Sequence, residues 1–173
     1  MFTNHSLLET LVEICKDIFQ KERFPDSQKK GNLTKLNIYQ QSIPVLNSQQ
    51  YNETQEELES GLLNDVSDII PFPYLIVDLN EGSFSVENSP GKTSVSMWIG
   101  IYDDGKLRNG GLYVLHAIQK IGEYFQKNPA FAGYEVLNTI KWVTDNEENY
   151  YFGVVSMDVK IPGIEREESD RLC

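Results

Sequence analysis

The chain has 173 residues, of which 40% are hydrophobic and nine are tyrosine, which fits one self-sufficient domain of residues 1–173 and excludes a disordered chain. A chain of this size buries roughly 70% of its unfolded surface. Twenty-six acids against 15 bases leave a net charge of −11, which argues against a tight, sequence-independent grip on nucleic acid, because phosphate binding needs clustered Lys and Arg.

Leu7, Leu8, Leu11, Val12, Cys15, Ile18 and Phe19 recur at three- and four-residue steps and predict a helix from about Asn4 to Arg23. Ser6 with Glu9 has capping-box spacing, Asn4 is the rival cap, and Pro25 ends the helix. Phe2-Thr3-Asn4-His5 offers neither a basic start nor a long apolar run, so no signal peptide is expected, and no window of 18 apolar residues predicts a membrane span. Cys15 and Cys173 are the two cysteines and read as free thiols in a reducing compartment.

Phe24–Gly31 reads as a polar loop, and Leu36–Val45 as a strand with Pro44 at its end or edge. Residues 46–70 are of one sign: Glu53, Glu56, Glu57, Glu59, Asp65 and Asp68 stand in a chain with no Lys or Arg between Lys35 and Lys92. Such a stretch reads as a mobile acidic insertion or an interaction arm, with a weak helical signal at Glu53–Leu63.

Tyr74–Leu79 and Thr93–Tyr102 predict an antiparallel hairpin. Val95, Met97, Ile99 and Ile101 take one face; Ser96, Trp98, Gly100 and Tyr102 take the other. Ser89-Pro90-Gly91-Lys92-Thr93 imitates the end of a phosphate-binding loop, but Val86 stands where that motif needs its first glycine, and a strand follows instead of a helix. It reads as a turn.

A second helix is expected from about Gly110 to Lys127, with Val114, Leu115, Ile118, Ile121 and Phe125 as its buried stripe. Strands at Thr139–Thr144 and Tyr151–Ile161 complete the pattern, the latter with Tyr151, Gly153, Val155, Met157, Val159 and Ile161 on one face. Residues 163–173 read as a frayed tail. The expected fold class is α+β: a mainly antiparallel sheet of four to five strands, backed by two amphipathic helices, with a long acidic loop.

Chemistry-bearing residues are sparse. Asp103 and Asp104 are neighbours on an extended chain and point apart, and no calcium-loop pattern surrounds them. Asn109 is placed to cap the second helix. His116 shares a polar helix face with Lys120 and Glu123, with no Cys or His cluster beside it. No G-x-S-x-G motif is present. No catalytic set, metal site or cofactor is therefore expected, nor an enzyme. Trp98 and Tyr102, on the face opposite the Val95–Ile101 row, read either as interface aromatics or as residues covered by the helices.

The order of several short motifs is more specific than any one of them. Ile38-Tyr39-Gln40 is followed by Pro71–Val77 (PFPYLIV), Ile99–Asp104 (IGIYDD) and an Asn-Gly-Gly helix entry that ends in Gln126–Pro129 (QKNP). Ile140–Trp142 (IKW), Tyr150–Val155 (YYFGVV) and Ile161-Pro162 complete the series. In that order the chain resembles the tail terminator, or tail-to-head joining, proteins of long-tailed phages and prophages of Gram-positive bacteria, over most of Leu7–Pro162. The acidic insertion is longer than the family's pattern. The resemblance implies a structural protein that forms a ring, usually of six copies, on the last tail-tube ring. That ring stops tube polymerisation and meets the head–tail connector protein. The implied location is the virion tail, assembled in the host cytoplasm. The implied partners are other copies, the tail-tube protein and the connector, with no tight nucleic-acid binding and no membrane. Trp98, Tyr102, Asp103, Asp104 and Asn109, with Glu53, Glu56 and Glu57 of the arm, are the candidate interface residues. An acidic inhibitor or nucleic-acid mimic is the alternative that the net charge allows.

Overall fold

The helix stripes and strand alternations meet on one surface. The computed structural model describes residues 2–43, 71–84, 90–105 and 109–163. Helix α1 spans Asn4–Phe19 and is followed by the short strands β1 (Phe24–Pro25) and β2 (Leu33–Thr34) and by β3 (Asn37–Gln40). Strands β4 (Tyr74–Ser83) and β5 (Gly91–Tyr102) lead to helix α2 (Gly110–Lys127). The strands β6 (Ala130–Phe131), β7 (Tyr134–Glu147) and β8 (Tyr150–Ile161) follow.

The main sheet has six strands in the order β3-β4-β5-β8-β7-β6, and β1 and β2 form a separate two-stranded ladder. Every neighbouring pair is antiparallel except β3 and β4, which run parallel. The α+β class and the two helices stand as expected, but four to five strands is an undercount. The additions are β6 and the β1–β2 ladder, each made of two-residue strands too short to show a period.

Both helices lie on one face of the sheet. The stripe Leu7, Leu11, Val12, Cys15 and Phe19 of α1 joins Val114, Ala117, Ile118, Ile121 and Phe125 of α2 over Leu75, Val77, Val95, Met97, Ile99, Ile101, Val155, Met157 and Val159. Each fully buried aliphatic or aromatic side chain there contributes on the order of 1.5–3 kcal/mol. Gly153 lets α2 come close: a Cβ at that position would stand 2.6 Å from a methyl of Val114 and 3.1 Å from Ile118 Cδ1.

Three local details differ from expectation. Helix α1 is capped by Thr3 in place of Ser6 or Asn4: the Ser6 N–H donates to Thr3 Oγ1 at 3.0 Å and the Thr3 N–H donates to Ser6 Oγ at 2.9 Å. The helix stops at Phe19, four residues before Arg23, because the chain turns there to bring Phe24 into the core against Phe19 and Tyr113. Leu115 is 43% exposed, outside the buried stripe, because it faces past the covered part of the sheet toward the outer part of β7.

Candidate interaction surface

Asp103, where β5 ends, is 2% exposed. Its Oδ1 accepts the Gly105 N–H at 3.1 Å and its Oδ2 accepts the Asn109 N–H at 3.0 Å. Its own N–H donates to the Asn149 carbonyl in the β7–β8 turn at 2.9 Å. Gly105, with φ of 85°, supplies the left-handed step of this corner. Asn109 occupies the N-cap position of α2 but makes no capping bond with its side chain, contrary to expectation. Asp103 reaches the helix entry instead, through the Asn109 amide. Asp104 beside it is half-buried. Buried and committed to three backbone bonds, Asp103 is a joint of the fold, unsuited to contact a partner directly.

Trp98 and Tyr102 share the face opposite the helices, and the helices do not cover it. The two residues nevertheless differ. Tyr102 is buried, against the expectation of an interface aromatic, because Phe72 folds over that end of the sheet. The Phe72 ring lies 5.1 Å from Tyr74, 6.4 Å from Tyr102, 5.7 Å from Tyr150 and 6.4 Å from Phe152, centroid to centroid. Trp98, one row along, remains 44% exposed. The register places it between Ile76 and Val154, with Tyr39 of β3 and Val143 of β7 at the two ends of the same row. Glu53, Glu56 and Glu57, and the reading of 46–70 as a mobile insertion, lie outside the described residues, as do Cys173 and most of the expected frayed tail.

The pattern of the sequence did not single out the outer part of β7. The two-residue strand β6 pairs only with Tyr134 and Glu135. From Leu137 to Glu147, no described strand pairs with the outer edge of β7. Trp142, 58% exposed, and Val143, 61% exposed, sit on this stretch and face opposite sides of the sheet. Along its helix-side flank two shallow hollows open against α2, one lined in part by Leu112, Leu115, Thr144 and Asn146 and the other in part by Gln119, Ile140 and Trp142. Leu112 is also well exposed. The missed signal was the adjacent pair Trp142-Val143: neighbours on a strand cannot both face one core.

Two carboxylates near these surfaces, Glu22 and Asp158, are paired. Glu22, in the turn after α1, receives His116 Nε2 at 2.8 Å and Lys120 Nζ at 3.3 Å. The His116 hydrogen bond, then that of Lys120, holds the Glu22 carboxyl below its ordinary range against the opposing pull of burial. On the sheet, Lys92 and Ser94 donate to Asp158 at 2.8 and 2.7 Å and hold its carboxyl low. Lys92 is thus an ion-pair partner at the start of β5, and no helix follows it. Cys15 is a free thiol buried in the core, and burial pushes its pKa up to about 12. Among the described residues no group of three His, Cys, Asp or Glu side chains could hold a metal ion, and no helix is long and apolar enough to cross a membrane.

No protein-family model and no curated protein matches this chain.

Proposed function

We propose that this chain is the structural subunit of a phage tail terminator: a ring, of about six copies, that caps the tail tube, stops its growth and joins the tail to the head connector. One observation carries this reading beyond the order of the sequence motifs. The outer edge of β7 is long and without a described partner, and exposed Leu112, Leu115, Trp142 and Val143 flank it. Unpaired edges invite another chain, and soluble monomers ordinarily blunt them. In a closed ring each contact is head-to-tail, one patch meeting a different patch on the next copy. An edge strand flanked by exposed apolar side chains suits that arrangement.

In this reading the partners are other copies of the chain, the tail-tube protein and the head–tail connector protein, and the ring resides in the virion tail after assembly in the host cytoplasm. The net charge of −11 suits a channel through which DNA passes without sticking, since an acidic wall repels phosphate. Native mass measurement of the purified chain, alone and mixed with tail-tube protein, tests the proposal, with electron microscopy of the mixture. Closed rings and capped tubes are expected. A monomer or dimer that leaves tube growth untouched in the mixture overturns the proposal and favours an acidic inhibitor or nucleic-acid mimic.

A further inference from the structure

Among the described residues, no strand pairs with the outer side of β3, nor with that of β7 beyond Glu135. These two edges match each other. β3 runs parallel to β4, and each later step through β5, β8 and β7 reverses direction, so β3 and β7 are antiparallel. A copy rotated about an axis along the strands keeps that sense, so its β3 reaches β7 as an antiparallel neighbour.

The two edges also stand at one height. The registers run Ile38, Leu75, Ile99, Gly153 and Thr144 in one row and Tyr39, Ile76, Trp98, Val154 and Val143 in the next. The four residues of β3 therefore lie level with Trp142–Asp145, inside the stretch of β7 that β6 leaves open. Joining the edges of adjacent copies needs no slip along the strands, which suits a closed ring without rise.

The backbone is in phase for the same pairing. In an antiparallel ladder the N–H and C=O of one residue point to one side and those of the next residue to the other. The Asp103 N–H bond to the Asn149 carbonyl continues the β5–β8 ladder, so Tyr151 and Gly153 bond toward β5, and Phe152 and Val154 toward β7. Val143 and Asp145 answer those two, and Trp142 and Thr144 turn their backbone groups to the outer edge. On β3, the Asn37 N–H donates to the Pro73 carbonyl at 3.0 Å and the Gln41 N–H to the Val77 carbonyl at 2.8 Å. Ile38 therefore presents its N–H and carbonyl outward, and Gln40 its N–H; the Gln40 carbonyl accepts the Ser42 N–H at 2.7 Å.

We propose that β3 of each copy adds to β7 of the next, with Ile38 opposite Thr144 and Gln40 opposite Trp142; the pairing rests on the ring reading given above. Ile38 exchanges both backbone bonds with Thr144 of the neighbouring copy, and the Gln40 N–H donates to the carbonyl of its Trp142. On the outer face Tyr39 falls beside the neighbour's Val143, so the apolar row that crosses one sheet continues into the next. Main-chain bonds of this kind give affinity, and the side chains beside them set the register. A two-fold contact of β7 with β7 would leave β3 unmatched and stop at a dimer.

The test is a disulfide across this contact. Tyr39 and Val143 would form the pair without mutual backbone bonds, with Cα atoms about 4.5 Å apart, a separation that a disulfide spans. Tyr39→Cys with Val143→Cys is made in a Cys173→Ser chain; Cys15 is buried. Oxidised alone and with tail-tube protein, the double variant should give a ladder of linked copies ending at the ring size on a non-reducing denaturing gel. The two single variants should link when mixed, and neither should link to itself. Rings that form without linkage overturn the pairing and leave the ring reading intact, as does a single variant that links to itself within rings. An unmodified chain that forms no ring in either condition overturns the ring reading and the pairing with it. Thr144→Pro is the second measurement. It removes only an outward N–H, a place where an edge strand tolerates proline, so circular dichroism should be unchanged while rings give way to monomers. Rings that survive Thr144→Pro overturn the pairing.

Discussion

Asp103 and Tyr102 are adjacent, and their burial separates two kinds of cost. Removing the Asp103 carboxylate leaves the Gly105 and Asn109 amides without their acceptor, so Asp103→Ala should lower stability by about 1–3 kcal/mol. Tyr102→Ala opens a cavity beneath Phe72 and should cost on the order of 3 kcal/mol. Chemical denaturation checks both, and values near zero would mean that the corner and the aromatic cluster relax freely. Asp158 adds a dependence on pH. Its folded pKa lies below the ordinary carboxylate value, with Lys92 and then Ser94 as the causes. Its contribution is therefore complete above the unfolded pKa and lost as pH falls through the folded one. Solvent screening keeps it within about 1 kcal/mol. Denaturation across the acid range should show Asp158→Asn with a shallower loss of stability on acidification than the parent. Parallel acid limbs would exclude a native-state coupling to Lys92.

At the scale of elements, legibility follows periodicity. The alternation of Val95, Met97, Ile99 and Ile101 marked the core face of β5, and that of Tyr151 through Ile161 marked β8, because a half-buried strand repeats every two residues. The bounds of α2 were readable from its apolar stripe and the Asn-Pro that follows. The same stripe could not show that Leu115 lies outside the covered area, since a helical pattern gives a direction but not the extent of the sheet beneath it. The parallel pairing of β3 with β4 was hidden for another reason: partner choice across a long connection leaves no trace in local pattern. Phe72 covering Tyr102 is likewise a contact between distant residues, so the sequence could place that aromatic on the outer face but not say what covers it there. The outer edge of β7 is where an element-level prediction belongs. Leu115→Glu with Trp142→Glu changes two exposed side chains and should leave the circular dichroism of the fold intact. If the parent forms rings, mass measurement should find the variant monomeric. Rings that persist in it would place the subunit contact elsewhere.

For the whole molecule, helices on one side of the sheet leave its ends and outer surfaces to be used or covered. If the chain caps tail tubes, phage lacking it should still make heads and tube protein, but tails should run beyond their normal length and fail to join heads. Electron microscopy of lysates measures this directly, and tails of normal length joined to heads would refute the terminator reading. Aromatic residues at protein interfaces can each be worth about 2 kcal/mol or more, and a ring repeats every contact around its circumference. A modest loss at β7 should therefore appear as an abrupt loss of rings with falling concentration, which sedimentation at several concentrations would reveal.

The bond from the Asp103 amide to Asn149 gives the corner a mechanical meaning. A neighbour that grips β7 pulls on the β7–β8 tip. That tip is fastened through Asn149 to the same residue whose carboxylate holds the entry to α2. Tension on β7 would thus be shared with the entry to α2, a helix tied further along through His116 and Lys120 to Glu22 beyond α1. A tug at one border of the molecule is delivered to its opposite layer along a short series of named bonds, so the subunit should yield as one stiff body, without peeling from its edge.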